Sequence, residues 1–435
     1  MYLTPILWFE LVVAVLIAVM FLWKKPEYGL FLYALALGFP DIAWPLGSTI
    51  NIRVDDLLIL VFLARTILWA PSPSSRMQKS IFTWQALFFL ACILSIIVET
   101  ARGTPPGGYE TAKMAGCAAI VLALPRLVQS ERRLRFFVSG LVCAGIAVVI
   151  QIHEHLGEAA TRDFANFQQL KSAATFSTWN PNTIGQAGIL FVFAAALGGI
   201  VFAKTLAHRI FWPGLATIFA LLPALVYVRG TSLSIAAGFI VFFCMTRRWK
   251  WVLVLAVVCL GAIFYLHARD SQLLEDATTV NVATGQGLSH RFDRWDMALQ
   301  AIRKRPVVGH GFGQELPYLT LIGSEGRAHD AYLTVWIELG LGGLLVFAAA
   351  IFQFLRAGFF LYRAPHFRSQ GALILALIVA LCLDSVGLST LYWEKLPTIA
   401  LSLAAVVVGL CERNDMELTV KEVRAMAREP YAQHS

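Results

Sequence analysis

The chain has 435 residues and a formal net charge of +8, with 58% apolar and 14% charged residues. A soluble chain of this length carries roughly a quarter charged residues, so an ordinary water-soluble enzyme is excluded. So are a disordered chain and an outer-membrane barrel, whose short alternating strands leave no long apolar runs. The fold class expected is therefore an all-α polytopic membrane protein. Its basic excess lies in short clusters beside apolar runs, where it sets orientation, and gives no sign of nucleic-acid binding.

The first apolar run, about Pro5 to Trp23, has no basic residue before it and no small-residue cleavage site after it, and Lys24 and Lys25 follow directly. It reads as a retained span and not as a removable signal peptide. Further runs cover about 28–40, 54–70, 81–98, 111–125, 136–152, 182–203, 210–228, 231–246, 250–267, 329–347, 371–388 and 397–411. That predicts about 12 spans, or 13 if the short run between Pro26 and Pro40 crosses fully. The cysteines fall within or at the ends of these runs and read as small core residues, with no disulfide framework or zinc site.

Positive charge sets the sidedness. One alternate set of connections holds Lys24, Lys25, Arg76, Lys79, Arg126, Arg132, Arg133, Arg135, Lys204, Arg209, Arg247, Arg248, Lys250, Arg356, Arg363 and Arg368. The opposite set is poorer, with Arg53, Arg102, Lys113, Arg162, Lys171, Arg229 and Lys395. The richer set is expected in the cytoplasm. The chain then divides into an N-terminal transmembrane bundle (1–267), one large outward loop (268–328), C-terminal transmembrane helices (329–411) and a cytoplasmic tail (412–435).

Within the outward loop, Ser289 to Arg305 reads as a helix with an apolar stripe of Phe292, Trp295, Leu299 and Ile302. Arg291 and Arg294, three apart, project from a neighbouring face. A basic amphipathic helix outside a membrane also fits a surface-lying element whose arginines touch lipid phosphates. Pro306 ends the helix, and the glycines of Gly309-His310-Gly311-Phe312-Gly313 free the backbone for tight turns or close approach. A new helix is expected to begin at His329-Asp330 and enter the membrane, where Glu338 is a costly carboxylate in need of a partner. Asp384 and the pair Asp55 and Asp56 are similar cases.

The stretches Arg291-Phe292-Asp293-Arg294-Trp295-Asp296, Pro306-Val307-Val308-Gly309-His310-Gly311 and His329-Asp330-Ala331-Tyr332-Leu333 resemble the signature region of the O-antigen ligase and O-antigen polymerase superfamily. Asn182, in Trp179-Asn180-Pro181-Asn182, resembles the family's Pro-Asn element, and Arg229 stands where the family often has an Arg preceded by Ser or Thr, here replaced by Val228. Asp330 occupies a position where Asn is frequent.

The resemblance implies a C-type glycosyltransferase-like helical fold and glycan transfer at the periplasmic face of the bacterial inner membrane. The implied donor is an undecaprenyl-diphosphate-linked glycan and the acceptor a sugar hydroxyl, of lipid A-core for a ligase. No cofactor and no metal are implied. His329 is then expected to act as base, because imidazole titrates near neutral pH. Arg229 and Arg291 are expected to clamp the diphosphate. Arg294, Asn182, His310, Gly311, Asp330 and Glu338 are expected to line the substrate site. Three alternatives stay open: polymerisation of lipid-linked units, loading of a protein hydroxyl, and a lipid or polysaccharide transporter. A transporter tends to show repeated halves, and no repeat is visible.

Overall fold

The computed structural model describes residues 24–39, 43–46, 50–69, 75–160, 181–225, 228–248, 250, 252, 288–324, 326–387, 390–392 and 394–426. These form α1 (Pro26–Ala36), a hairpin of β1 (Ala43–Leu46) and β2 (Ile50–Arg53), then α2 (Val54–Trp69), α3 (Arg76–Ala101), α4 (Gly108–Leu127), α5 (Glu131–Ala160), α6 (Pro181–Phe202), α7 (Leu206–Leu225) and α8 (Arg229–Met245). There follow α9 (Leu288–Lys304), α10 (Glu315–Leu321), α11 (Ala331–Arg363), a short 3-10 turn (Pro365–Phe367), α12 (Arg368–Gly387) and α13 (Lys395–Met426). The antiparallel hairpin, with Trp44 opposite Ile52, was not expected from the apolar pattern.

Seven described helices are long and apolar enough to cross a membrane: the stretches Arg76–Ala101, Glu131–Glu154, Asn182–Phe202, Leu206–Pro223, Ala331–Arg363, Pro365–Gly387 and Lys395–Asp415. Of the other expected spans, 5–23 and nearly all of 250–267 lie outside the described residues. α1 has 11 residues, about 16 Å, which is too short to span. Leu58–Leu68 and Gly230–Met245 are shorter apolar helices. Large apolar side chains on α3 stay uncovered by protein, among them Leu90, Leu94 and Ile97. Such a face suits lipid and would be a liability in water.

The described bundle helices alternate in direction along the chain, except that α8 and α11 run the same way, and this gives the molecule two distinct ends. At the lower end the Glu412 carboxylate takes the Ser75 hydroxyl and the N–H groups of Arg76 and Met77, capping α3. Arg413 reaches the Gln129 carbonyl there at 3.0 Å. At the upper end Lys395 pairs with Asp56, and Lys113 with Glu394 at 3.0 Å. The helix starts and ends that carry Lys24, Arg76, Lys79, Arg126, Arg132, Arg133, Lys204, Arg247, Arg363 and Arg368 all fall at the lower end. Arg356 does not sit in a connection; it lies within α11.

α11 departs most from expectation. It runs to Arg363, well past the expected end near 347, and breaks at Gly340, whose φ of 66° is left-handed. Its first ten residues pack on the 288–328 unit through Ile337 and on α3 through Ala331, Val335 and Leu339. The break exists because the 306–311 segment is laid into it. Pro306 carbonyl takes the Leu341 N–H at 2.9 Å, and the N–H groups of His310 and Gly311 go to the carbonyls of Ile337 (2.7 Å) and Glu338 (2.9 Å). A Cβ on Gly340 would strike the Val307 carbonyl, and one on Gly309 would strike the Glu338 carbonyl. Only glycine permits that approach.

Protein covers the apolar stripe of α9 only in part. Ile302 is buried and Trp295 half-buried, but Phe292 and Leu299 face outward. The face packed on α11 is built from Ala298, Ala301 and Ile302 with Ile337 and Ala328. Alanines let the helices approach closely, so the larger apolar residues are displaced to the rim.

Candidate active site at the upper end of the bundle

Four chain segments meet at the upper end around one carboxylate. Asp384, three residues before the end of α12, accepts the Thr231 hydroxyl on Oδ1 and the Thr390 hydroxyl on Oδ2, both at 2.6 Å. Thr390 in turn lies 3.4 Å from the Gln186 amide of α6. Gly185 packs on Thr231, where an added Cβ would sit 3.0 Å from Oγ1. The starts of α6 and α8 therefore lie side by side. Asn182 is in the first turn of α6, half-buried, and Arg229 opens α8 two residues before Thr231. The Arg229 side chain lies outside the described residues.

Arg291 comes over this cluster from α9. Its Nη1 sits 2.9 Å from the point a Cβ on Gly387 would occupy, and its charge interacts with Asp384. Partial burial and the neighbouring Arg294 guanidinium lower the Arg291 pKa, while Asp384 opposes the shift. An arginine so placed stays charged, and its positive charge is only partly offset. That leaves it suited to an incoming anion.

Arg294 and Trp295 connect Arg291 to the segment that carries His329. The Arg294 guanidinium packs on Gly326, its atoms 3.4 to 3.5 Å from an added Cβ, and its buried Nε has no hydrogen-bond partner among the described residues. The Trp295 indole N–H donates to the Ala328 carbonyl at 3.1 Å. His329 follows, half-buried, with a left-handed φ of 54°. For a residue other than glycine this conformation costs about 1 to 2 kcal/mol, and such strain gathers where function imposes it.

His329 thus lies outside the helix and not in its first turn. Asp330 is the cap: its Oδ1 accepts the Leu333 N–H at 2.8 Å. Burial raises the Asp330 pKa, and the N–H groups of Leu333 and Tyr332 partly offset that. Its carboxylate is committed to the helix start and not to the imidazole ring.

The remaining expected site residues sit elsewhere. His310 is buried, with Nε2 donating to the Ala301 carbonyl at 2.8 Å and its ring 3.8 Å from that of Tyr318. Burial lowers its pKa, so it stays a neutral strut. Ala301 is seven residues beyond Arg294, about 10 Å along α9. Gly311 lies against the side chain of Glu99, which itself holds Arg102 and Thr104, both at 2.8 Å. Glu338 is buried and accepts the Glu315 N–H at 3.3 Å and the Tyr392 hydroxyl. These three hold the 306–315 segment against α3 and α11, and the structure does not bring them to the arginines.

Sequence reasoning missed Glu315. It is buried, and its Oε1 accepts the Ala328 N–H at 3.0 Å and the Thr334 hydroxyl at 3.1 Å. Nothing in its sequence surroundings marks it. Asp384 was read as a costly membrane carboxylate, without its tie to Arg291. Among the described residues no three His, Cys, Asp or Glu side chains are grouped so as to hold a metal ion.

No curated protein matches the chain. A family model described as O-Antigen ligase matches residues 214–348. The matched stretch includes Arg229, Arg291, Arg294, His310, His329 and Glu338; Asn182 and Asp384 fall outside it. Residues 214–348 are thus similar to the O-antigen ligase family, and this similarity, together with the multi-pass helical architecture, supports an O-antigen ligase- or polymerase-like membrane enzyme.

Proposed function

We propose that the protein is a membrane-embedded glycosyltransferase that moves a glycan from undecaprenyl diphosphate to a sugar hydroxyl of lipid A-core. The reaction takes place at the upper end, which faces the periplasm. The observation that carries this reading is the convergence of Arg291, Asp384 and the His329 segment at one end of the bundle, beside the helix that Arg229 opens. The basic connections gathered at the opposite end support the sidedness.

In this reading the Arg229 and Arg291 guanidiniums grip the diphosphate in bidentate fashion and take up the charge that develops on its oxygens. The His329 imidazole removes the proton of the acceptor hydroxyl. That oxygen attacks the anomeric carbon from the face opposite the diphosphate, the bond from carbon to phosphate oxygen breaks, and the lipid diphosphate leaves. One displacement inverts the anomeric centre. Arg294 supports the Gly326 turn and adds positive potential, and Asn182 lies at the rim to meet sugar hydroxyls.

Reconstitution of the purified protein with a lipid-linked glycan tests the reading, with lipid A-core, a second lipid-linked glycan and a protein hydroxyl offered in parallel. Labelled lipid A-core is the expected product. Labelling of the lipid-linked glycan alone identifies a polymerase, and movement of intact donor between leaflets without transfer identifies a transporter.

A further inference from the structure

At the end of α9 the six residues Arg303, Lys304, Arg305, Pro306, Val307 and Val308 are all exposed, the two valines at 65% and 71%. Three cations followed by two uncovered valines make a strip that is basic on one side and greasy on the other. Two of the cations sit in the last turn of a helix, where they complement the dipole. That accounts for neither Arg305 nor the valines. Asp293 and Asp296, the acids of the same helix, are at least seven residues back, about 10 Å along the axis. Asp296 is engaged by Gln300 at 3.0 Å. Lys304 lies over the Tyr318 ring, and among the described residues no ion pair to an acid involves Arg303 or Arg305.

The height of this strip is fixed by α11. Pro306 carbonyl takes both the Leu341 N–H at 2.9 Å and the Trp336 indole N–H at 3.0 Å, and Val307 abuts the break at Gly340. Beyond the break α11 runs from Leu341 to Arg363, about 35 Å, which matches a hydrocarbon core of roughly 30 Å. The membrane edge therefore falls at the break, level with the strip, and the Trp336 indole sits where interfacial tryptophans gather.

The geometry points to the Arg303–Val308 strip as a membrane-surface site that binds the phosphates of anionic lipid headgroups in the surrounding leaflet, with Val307 and Val308 dipping among the acyl chains. The pairing follows from charge complementarity and from level. Cations near a membrane surface attract anionic lipid individually, and apolar residues beside them add the burial that holds an interfacial element. The site is separate from the Arg291 cluster and does not depend on the reaction proposed above.

The test uses the full-length protein in detergent micelles doped with equal phosphatidylglycerol and phosphatidylcholine, with bound lipid counted by native mass spectrometry. Wild type is expected to retain phosphatidylglycerol preferentially. The triple variant R303Q/K304Q/R305Q should lose that preference by roughly fivefold for each cation removed, with phosphatidylcholine unchanged. R303K/R305K should keep it, and V307S/V308S should weaken it. Equal phosphatidylglycerol retention by wild type and the triple variant would overturn the proposal. Displacement of phosphatidylglycerol by inorganic phosphate alone would overturn it in favour of a free-anion site. A raised KM for a lipid A-core acceptor, with phosphatidylglycerol retention unchanged, would overturn it in favour of acceptor docking.

Discussion

Glu315 takes the backbone N–H of Ala328 at 3.0 Å, so a buried carboxylate fixes the residue directly before His329. Burial raises its pKa above the ordinary carboxylate value of 4.5, an effect partly offset by the Ala328 N–H and by Arg327. A folded-state pKa above the unfolded one means that the stability it contributes is fully present below about pH 4.5. That stability is lost as pH rises through the raised value. Thermal melts of detergent-solubilised protein from pH 4.5 upward should show this decline in wild type and lose that part of it in Glu315→Gln. Glu315→Ala leaves the Ala328 N–H without a partner, and should cost about 1 to 3 kcal/mol. Identical pH slopes for wild type and Glu315→Gln would show that Glu315 does not ionise in that range.

His329 separates chemistry from stability, because its φ of 54° favours glycine. His329→Gly relieves the strain while removing the imidazole. Strain relief then offsets the loss of the ring's own contacts, and the variant should melt within about 1 kcal/mol of wild type. Transfer should fall on the order of 10²- to 10⁴-fold with kcat. His329→Ala should lose the same rate and keep the strain. Wild-type turnover in His329→Gly would remove the imidazole from the mechanism.

The alternating helices were legible because long apolar runs report burial or lipid contact whatever the neighbours are. Arg291, Arg294 and His329 were legible as candidates because spacing and motif lie within one short stretch. Asp384 and Thr231 were not, because they are 153 residues apart and no local period encodes a contact between two helix ends. The break at Gly340 was hidden because a glycine inside an apolar run reads as helix, and only the 306–311 segment, arriving from elsewhere in the chain, makes its left-handed φ necessary. The apolar stripe on α9 was legible too, but not which of its residues the protein covers: Phe292 and Leu299 stay exposed. The small residues Ala298 and Ala301 make the close contact instead, which the spacing of large apolar residues does not report.

Asp384 joins α12, Thr231 and Thr390, and it is the carboxylate that Arg291 senses. Asp384→Asn keeps the volume and one acceptor oxygen but removes the charge. It should leave the fold intact while changing how firmly Arg291 is held, lowering transfer on the order of 10- to 100-fold. Arg291→Lys should do at least as much harm, since a point charge does not reproduce the guanidinium fork. If the site works as a unit, the double variant Asp384→Asn with Arg291→Lys should lose less than the product of the two single losses. Strict multiplicativity would show that the two residues act independently.

Gly340 carries the junction between the loop unit and the bundle. Its left-handed φ and the Val307 carbonyl against it leave no room for a methyl group. Gly340→Ala should destabilise the protein by roughly 2 kcal/mol or more, because conformational strain and collision add. The damage should be local before it is global, since the hydrogen bonds around the break (Leu341 to Pro306, His310 to Ile337 and Gly311 to Glu338) depend on it. Hydrogen exchange should therefore quicken at Gly309 to Phe312 and Gly340 to Gly342 in the variant, with α12 and α13 unchanged. Gly342, which meets nothing within 4 Å, is the control: Gly342→Ala two residues on should be neutral or mildly stabilising, as expected inside a helix. Equal effects from the two substitutions would mean that the break is not held by the 306–311 segment.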